Sequence, residues 1–180
     1  MKSYLTHLEC TYCSVTQSAD VAHRVCPDCG KVLYPRYDLA LAKKALDRSA
    51  LKDRAANMWR YFEVMPILDE ANVITLGEGY TPIFQAARLG EDMGASSLYI
   101  KDEGLNPTAS FKARGLSAAV SKAKELGITK LTMPSAGNAA GAMTSYAAKG
   151  GMEAYVFMPK DVPEANRQEV LITGGNLTLV

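Results

Sequence analysis

The sequence lacks the features that mark membrane-spanning, secreted or nucleic-acid-binding proteins. It has no run of about 18 apolar residues, the length that a helix needs to cross a bilayer. Its first ten residues, MKSYLTHLEC, contain no continuous apolar stretch of the kind found in signal peptides. Neither sign of charge is in excess, since 20 Lys and Arg residues face 19 Asp and Glu residues. We therefore expect a cytoplasmic protein that binds neither nucleic acid nor membranes.

The composition also excludes a disordered or fibrous chain. Of the 180 residues, 48% are hydrophobic and 22% are charged, which is ordinary for a folded domain. A chain of this length predicts about one domain. Its last residues, 176–180 (NLTLV), are apolar and favour a strand, with no polar tail after them. We therefore expect this sequence to be the N-terminal fragment of a longer protein, with its final strand at an exposed sheet edge.

The four cysteines lie close to the N-terminus, in a segment that we assign to residues 1–37. They form two CxxC pairs, Cys10 with Cys13 and Cys26 with Cys29, separated by 12 residues. This spacing is typical of a tetrathiolate zinc site in a small ribbon, because each short turn directs two sulfurs at one ion. Four thiolates fill a tetrahedral shell and leave no position for water, so the predicted role of zinc is structural.

The cysteine pairs are also compatible with disulfides or with an iron–sulfur centre. Disulfides would require an oxidising compartment, which nothing in the sequence indicates. An iron–sulfur centre is held by four cysteines just as zinc is, and the spacing does not distinguish the two. His7 and His23 are potential replacement ligands, but with four cysteines present we expect both histidines at the surface.

Residues 38–74 are predicted to form a helical connector. The apolar residues Leu51, Ala55, Met58, Trp59 and Phe62 recur at the spacing of one face of an amphipathic helix. Pro66 ends that region, because proline removes a backbone donor. The following residues 75–84, with two glycines and a proline, are predicted to be an ordered loop.

The remainder alternates between strand and helix patterns. Strands are predicted at 97–101, 130–134, 154–158 and 177–180, and helices at 110–126, 138–149 and 163–173, each helix being followed by glycine. This alternation is typical of βαβ units. It predicts an α/β fold in which helices flank a parallel, twisted sheet.

Lys112 is the first candidate for chemistry, in the segment Asn106-Pro-Thr-Ala-Ser-Phe-Lys-Ala-Arg-Gly115. Ser110 occupies the expected N-cap position, which places Lys112 in the first turn of the helix. The partial positive charge at a helix N-terminus disfavours an ammonium ion, so we expect a lowered pKa for this lysine. A neutral amine is what a Schiff-base lysine needs, although a solvated lysine is the ordinary alternative.

This segment resembles the pyridoxal-phosphate lysine motif of the fold-type II enzymes, and within that group the threonine synthase family. The stretches Leu76-Gly-Glu-Gly-Tyr-Thr-Pro82 and Trp59-Arg-Tyr61 resemble that family too. Many members have Asp after the lysine, where this chain has Ala113. The resemblance implies that Lys112 binds pyridoxal 5'-phosphate and acts in catalysis, with Phe111 beside the cofactor ring unless it is simply a core residue.

A second glycine-containing loop, Pro134-Ser-Ala-Gly-Asn138, joins a predicted strand to a helix. Backbone N–H groups at such a turn favour an anion, although a tight structural turn would look the same. By resemblance, Ser135, Ala136, Gly137 and Asn138 bind the substrate carboxylate, and Asn138 also contacts the cofactor oxygen. Thr81 is a further expected substrate contact, and Glu78 is expected to line the mouth of the site with it. Arg114 is expected to pair with a carboxylate of the scaffold.

The resemblance implies that O-phospho-L-homoserine and water are converted to L-threonine and phosphate. A dehydratase or ammonia-lyase acting on threonine, serine or diaminopropionate is the alternative enzyme. A zinc-ribbon interaction module on a non-catalytic α/β domain is the alternative outside enzymes. The resemblance is compatible with a homodimer. Residues 75–180 would be the N-terminal part of the catalytic domain, so we expect this piece alone to bind cofactor poorly and to be inactive.

Overall fold

The N-terminal ribbon is a small antiparallel sheet. The computed structural model describes all residues 1–180, and its first strands are β1 (Leu5–Cys10), β2 (Thr16–Gln17) and β3 (Leu33–Tyr37). Their order is β2-β1-β3, with β1 antiparallel to both neighbours. β1 ends at Cys10, and the chain turns back through residues 11–15 into β2, so the first cysteine pair lies at this turn.

The connector differs from the single amphipathic helix that the apolar spacing predicted. It contains α1 (Leu39–Ala45) and three short 3₁₀ segments at Ala50–Lys52, Met58–Val64 and Glu70–Asn72. Asn57 is extended (φ −146°), and its side chain accepts a hydrogen bond from Trp59 N, which starts a new turn. Local capping therefore interrupts the helix that the hydrophobic period would have continued.

The apolar residues in the second half of this connector are nevertheless buried. Met58, Trp59, Phe62 and Ile67 form one core cluster. Ala55, by contrast, is exposed in the structure. The hydrophobic pattern thus identified the buried side of the second half of the segment without identifying its backbone conformation.

An antiparallel pair of strands precedes the parallel sheet. It consists of β4 (Ile83–Gln85) and β5 (Tyr99–Lys101), with the short helix α2 (Ala87–Asp92) between them. The prediction that residues 97–101 begin the parallel sheet is therefore wrong, because β5 pairs with β4 in a separate sheet. The end of the predicted loop 75–84 supplies the partner strand β4, which the sequence pattern did not indicate.

The C-terminal half is the predicted α/β unit with three parallel strands. The strands β6 (Lys130–Pro134), β7 (Glu153–Met158) and β8 (Asn176–Leu179) lie in the order β6-β7-β8. The helices are α3 (Lys112–Glu125), α4 (Asn138–Gly150) and α5 (Glu164–Ile172). Glycines with positive φ follow each helix, at positions 127, 151 and 174. Only glycine adopts this conformation without strain, so the helix ends read from the sequence are confirmed.

The main core lies between this sheet and its helices. One side of α4 packs on β7 through Ala140, Met143 and Ala147 against Ala154 and Val156, all of which are buried. The last strand, β8, lies at the edge of the sheet and pairs with β7 alone, as the sequence predicted. No helix is long and apolar enough to cross a membrane.

Candidate active site

Lys112 is the first residue of α3 and is half-buried. Its Nζ lies 4.7 Å from the centroid of the Phe111 ring, and no carboxylate forms an ion pair with it. Phe111, and not Ser110, occupies the N-cap position, although the Ser110 hydroxyl still accepts a hydrogen bond from Lys112 N at 3.3 Å. Phe111 is 60% exposed, so the core alternative for this side chain is wrong. The Lys112 amine therefore has no ion-pair partner and lies beside an exposed aromatic ring.

The loop before Lys112 is fixed by the buried side chain of Asn106. Its Oδ1 accepts a hydrogen bond from Gly79 N at 3.0 Å, and its Nδ2 donates to the Glu103 carbonyl at 2.8 Å. The loop then passes through Ala109, whose φ of +51° is in the left-handed region. Such a conformation is costly for a residue with a Cβ, so the surrounding contacts hold the backbone in place.

Arg114 pairs with a carboxylate of the scaffold, as the sequence predicted. Its Nε and NH2 donate to the two oxygens of Glu103 at 2.6 and 2.8 Å. These hydrogen bonds lower the pKa of Glu103 to about 2. The hydroxyl of Thr81 donates to the same carboxylate at 2.6 Å and accepts from Arg114 at 3.3 Å. Thr81 is therefore engaged within the scaffold, and its contact with substrate stays a prediction.

Glu78 does not line the mouth of a site, because it is completely buried. Its Oε1 accepts hydrogen bonds from Trp59 Nε1 at 2.7 Å and from Ser117 Oγ at 2.5 Å. Its Oε2 accepts from the Tyr146 hydroxyl at 2.7 Å and from Leu76 N at 3.0 Å. Burial alone would raise the pKa of Glu78, but the hydrogen bonds from Ser117 and Tyr146 hold it below the usual value.

This buried carboxylate is an organising residue that the sequence pattern did not reveal. It connects the connector, α3 and α4 through Trp59, Ser117 and Tyr146 respectively. The available signal was a charged residue between two glycines in an otherwise apolar stretch. Thr75 is a nearby fourth side-chain partner, at 3.1 Å, but Trp59, Ser117 and Tyr146 are 19, 39 and 68 residues distant, so no local pattern could have named these three.

The second predicted loop joins β6 to α4. Ser135 N donates to the Phe157 carbonyl at 3.1 Å, and Asn166 of α5 donates to the Ala136 carbonyl at 2.8 Å. These two bonds fix the path of the loop. Gly137 is the N-cap residue, and no side chain caps the helix. The first N–H groups of α4 and the exposed Asn138 side chain are consequently left for another partner.

The topology brings the two loops to the same edge of the sheet. The short turn at Gly127 joins the C-terminus of α3 to the start of β6, and α4 begins after the opposite end of β6. Both helices therefore run antiparallel to β6, and they pack against each other. With 14 and 13 residues they have nearly equal lengths of about 20 Å. Lys112 and Asn138, at their N-termini, thus lie at the carboxyl edge of the strands, where α/β proteins bind ligands.

The four cysteines converge in the ribbon. Their Sγ atoms all lie within 4.8 Å of one another, and none forms a disulfide. The separations from Cys10 to Cys29 and from Cys13 to Cys26 are 3.4 and 3.6 Å. A tetrahedral zinc ion with bonds of about 2.3 Å requires sulfurs roughly 3.8 Å apart, so this donor set fits zinc.

The environment favours the thiolate at Cys10 but not at Cys13 or Cys29. Backbone N–H groups lower the pKa of both of these thiols, but the neighbouring Cys10 sulfur and burial outweigh them and raise the pKa of Cys13 to about 12 and that of Cys29 above its usual value. The N–H group of Cys13, and after it that of Tyr12, lower the pKa of Cys10 to about 6, although burial opposes them. His7 and His23 are partly exposed and form hydrogen bonds outside the cysteine cluster. His7 contacts the Thr6 hydroxyl at 2.9 Å, and His23 contacts the Ser18 carbonyl at 3.1 Å.

Comparison with known proteins agrees with this arrangement. The family model described as "Pyridoxal-phosphate dependent enzyme" matches residues 74–180. The threonine synthase of Methanocaldococcus jannaschii is 35% identical over 151 residues, which is 84% of this chain and 37% of the relative. That of Methanosarcina acetivorans is 37% identical over 153 residues, or 85% of this chain and 37% of the relative. This chain therefore spans little more than a third of the length of these curated relatives.

A solved structure gives the same fold. The processed form of threonine deaminase isoform 2 from Solanum lycopersicum superposes with a TM-score of 0.50 at 27% identity. The match covers 56% of this chain and 28% of the tomato protein. The α/β unit, with its parallel sheet and flanking helices, is thus the one found in fold-type II pyridoxal-phosphate enzymes.

Proposed function

Because the chain belongs to the family of pyridoxal-phosphate dependent enzymes, we propose that the full-length protein is a threonine synthase. The proposed reaction converts O-phospho-L-homoserine and water to L-threonine and phosphate. The observation that carries the proposal is the placement of Lys112 and the Ser135–Asn138 loop at one edge of the sheet. Identities of 35% and 37% to two archaeal threonine synthases support the choice of reaction.

The residues present fit pyridoxal phosphate at this edge. Lys112 offers an amine that no carboxylate neutralises, beside the exposed ring of Phe111. Asn138 is exposed at the start of a helix that no side chain caps. Lys112 would hold the cofactor, and Asn138 would donate a hydrogen bond to its oxygen. When bound, the cofactor supplies an electron sink for the substrate's reacting carbons.

The chain's own residues would orient the substrate and move protons. The N–H groups near Ala136 and Gly137, with the Ser135 hydroxyl, would bind the amino-acid carboxylate at the positive end of the α4 dipole. The amine of Lys112 would transfer protons at the α and β carbons of the substrate. A carboxylate fixed by backbone donors keeps those carbons within reach of Lys112, which is the entropic part of catalysis.

The proposal includes zinc in the ribbon and a cytoplasmic location, where thiols stay reduced. Cys10, Cys13, Cys26 and Cys29 would be its four ligands. Since all four positions of the shell are then taken by thiolates, the ion has no place in the reaction. Its expected contribution is to the stability of the ribbon.

The test of the proposal uses the full-length protein with and without Lys112. We expect pyridoxal phosphate to give the absorption band of the protein-bound cofactor, and Lys112→Ala to abolish it. Lys149→Ala is the matched control, because Lys149 is an exposed lysine in the last turn of α4. Retention of the band in Lys112→Ala would show that the assignment of this lysine is wrong.

The reaction itself is tested by substrate. We expect release of phosphate from O-phospho-L-homoserine with formation of an equal amount of threonine. The alternative is deamination of threonine or serine. The structural likeness to a threonine deaminase is the observation that supports this second candidate. Ammonia and 2-oxo acid formed from threonine, without phosphate release from the phosphorylated substrate, would establish the alternative.

A further inference from the structure

A cavity of about 430 Å³ is lined by Arg114 of α3 but not by Lys112. Arg114 lines it, and residues two positions apart on a helix point in nearly opposite directions. The Lys112 amine therefore faces away from this cavity. The other walls come from the connector, from the segment Tyr80–Ile83 and from β5. The volume falls within the range of small-molecule sites.

The charge of this cavity is positive and is only partly compensated. Its lining includes Arg60, Lys101 and Arg114 but no aspartate or glutamate. Arg114 is neutralised by Glu103, which lies outside the lining. Lys101 donates only to the Thr81 carbonyl at 2.8 Å. An apolar or cationic ligand would leave these charges unmatched, so the cavity selects for an anion.

Of the three cations, Arg60 is the one that has an unsatisfied hydrogen-bond donor and no carboxylate partner. Its guanidinium lies 5.0 Å from the centroid of the Tyr80 ring and donates to the Leu51 carbonyl. Its Nε is buried and has no hydrogen-bond partner, and no carboxylate pairs with it. A buried donor without an acceptor is costly, and no protein carboxylate offsets the charge of this guanidinium, so an anion in the adjacent cavity would be attracted to it.

The neutral groups of the lining are also mainly donors. The Asn57 Oδ1 already accepts a hydrogen bond from Trp59 N, so the Asn57 side chain can offer a ligand only its amide hydrogens. The rings of Tyr61 and Tyr80 have their centroids 6.0 and 5.0 Å from the Arg60 guanidinium, and their hydroxyls form no hydrogen bond with another protein group. Donors around an uncompensated cationic centre match an anion with several oxygens, and guanidinium binds phosphate oxygens in pairs.

We propose that this cavity binds phosphate or the phosphate group of a small phosphomonoester. Arg60 and Lys101 are its principal charged ligands, and the tyrosine hydroxyls complete the set of donors. The site is separate from Lys112 and does not depend on the proposed reaction. It contacts the same Thr81–Arg114 pair that fixes the first turn of α3, so occupancy would stiffen the segment that carries Lys112.

The proposal is tested by calorimetric titration of the full chain with inorganic phosphate, with ionic strength held constant by sodium chloride. We expect saturable binding of one phosphate per chain at this cavity. Arg60→Gln and Lys101→Gln should each weaken binding by about tenfold or more, because each removes a charge-assisted hydrogen bond. Lys43→Gln, on the exposed face of α1, is the control for loss of one positive charge and should bind as the unmodified chain does.

A second comparison separates this cavity from the site at Lys112. Lys112→Ala should leave the affinity for phosphate within about twofold, since its amine faces away from the cavity. Lys101 is exposed, so its variant should fold even if Arg60→Gln does not, and thermal melting of each variant checks this. The proposal is overturned by an absence of saturable binding, by full affinity in Lys101→Gln, or by loss of binding in Lys112→Ala alone.

Discussion

Replacing Glu78 by glutamine should destabilise the protein strongly, although the two side chains have the same shape. The carboxylate is surrounded only by donors, with Trp59 Nε1 and Ser117 Oγ at one oxygen and Tyr146 and Leu76 N at the other. Glutamine has one oxygen and one NH2 group. If the glutamine NH2 group faces Trp59, it meets the indole N–H group, which is also a donor. If the amide is turned the other way, the NH2 group meets the N–H group of Leu76.

The magnitude follows from the contacts that no rotation can restore. The hydroxyls of Ser117 and Tyr146 can turn, but the indole and backbone N–H groups cannot. With the NH2 group on the Trp59 side, the indole N–H keeps only the Ser117 hydroxyl, at 3.0 Å, as its acceptor. With the NH2 group on the other side, the Leu76 N–H loses its side-chain acceptor, and in both orientations the remaining charge-assisted bonds become neutral ones. With about 1 to 3 kcal/mol for the N–H group that loses its carboxylate acceptor and a similar amount for the weakened bonds, we expect a loss of about 2 to 6 kcal/mol.

The loss should depend on pH with a defined sign. The folded-state pKa of Glu78 is lowered, so its ionisation stabilises the fold above the unfolded-state pKa. This contribution disappears as the pH falls through the lowered folded value. The difference in stability between the unmodified chain and Glu78→Gln should therefore narrow as the pH drops below about 4.

Urea denaturation of the full chain measures both effects. Unfolding is followed by the emission of Trp59, the one tryptophan within these 180 residues, which contacts the altered group directly. Glu91→Gln, on the exposed side of α2, is the matched control and should change stability by less than about 0.5 kcal/mol. A loss below about 1 kcal/mol for Glu78→Gln at neutral pH would refute the claim that this carboxylate is ionised and fully bonded.

Three further changes test other parts of the structure. Gly79→Ala places a Cβ 2.7 Å from Met58 N at a φ of +94°, and should cost about 2 to 4 kcal/mol in urea denaturation. Ala109→Gly removes the strain of a φ of +51° before Lys112 and should raise the melting temperature slightly. If the greater entropy of the unfolded chain offsets this gain, the melting temperature stays unchanged, and a marked fall would contradict the strain argument. Cys13→Ser should abolish binding of one zinc ion per chain in a chelator competition assay, and full retention of zinc would exclude the four-thiolate site.

Features with a local cause were predictable from the sequence. Glycines 127, 151 and 174 end their helices because the chain needs a positive φ there, and that requirement concerns a single residue. The CxxC turns are equally local, and they bring the cysteine sulfurs together as the spacing indicated. The position of Lys112 in a first turn followed from the helical pattern after it, with an error of one residue in the cap.

Features that depend on distant partners were not predictable in this way. A three-residue strand such as β5 has no pattern that distinguishes an antiparallel partner from a parallel one, so its sheet was assigned wrongly. The apolar spacing from Leu51 to Phe62 fitted a helix, but Asn57 caps a new turn within it. The local pattern correctly predicted a strand in the first segment and buried apolar residues in the second. Tertiary contacts decided the partner of the strand and the backbone conformation of the connector.

The position of Glu78 follows from the same distinction between local and distant causes. A charged residue in a glycine-rich loop beside a candidate site suggests catalysis, but this one forms its bonds inside the core. It joins Ser117 on α3 to Tyr146 on α4, the two helices whose N-termini carry Lys112 and Asn138. Because a hydrogen-bonded carboxylate tolerates little displacement of its donors, the two helices are held in one relative position. The loop therefore has a structural role, because it fixes the relative position of the two helices whose first residues are Lys112 and Asn138.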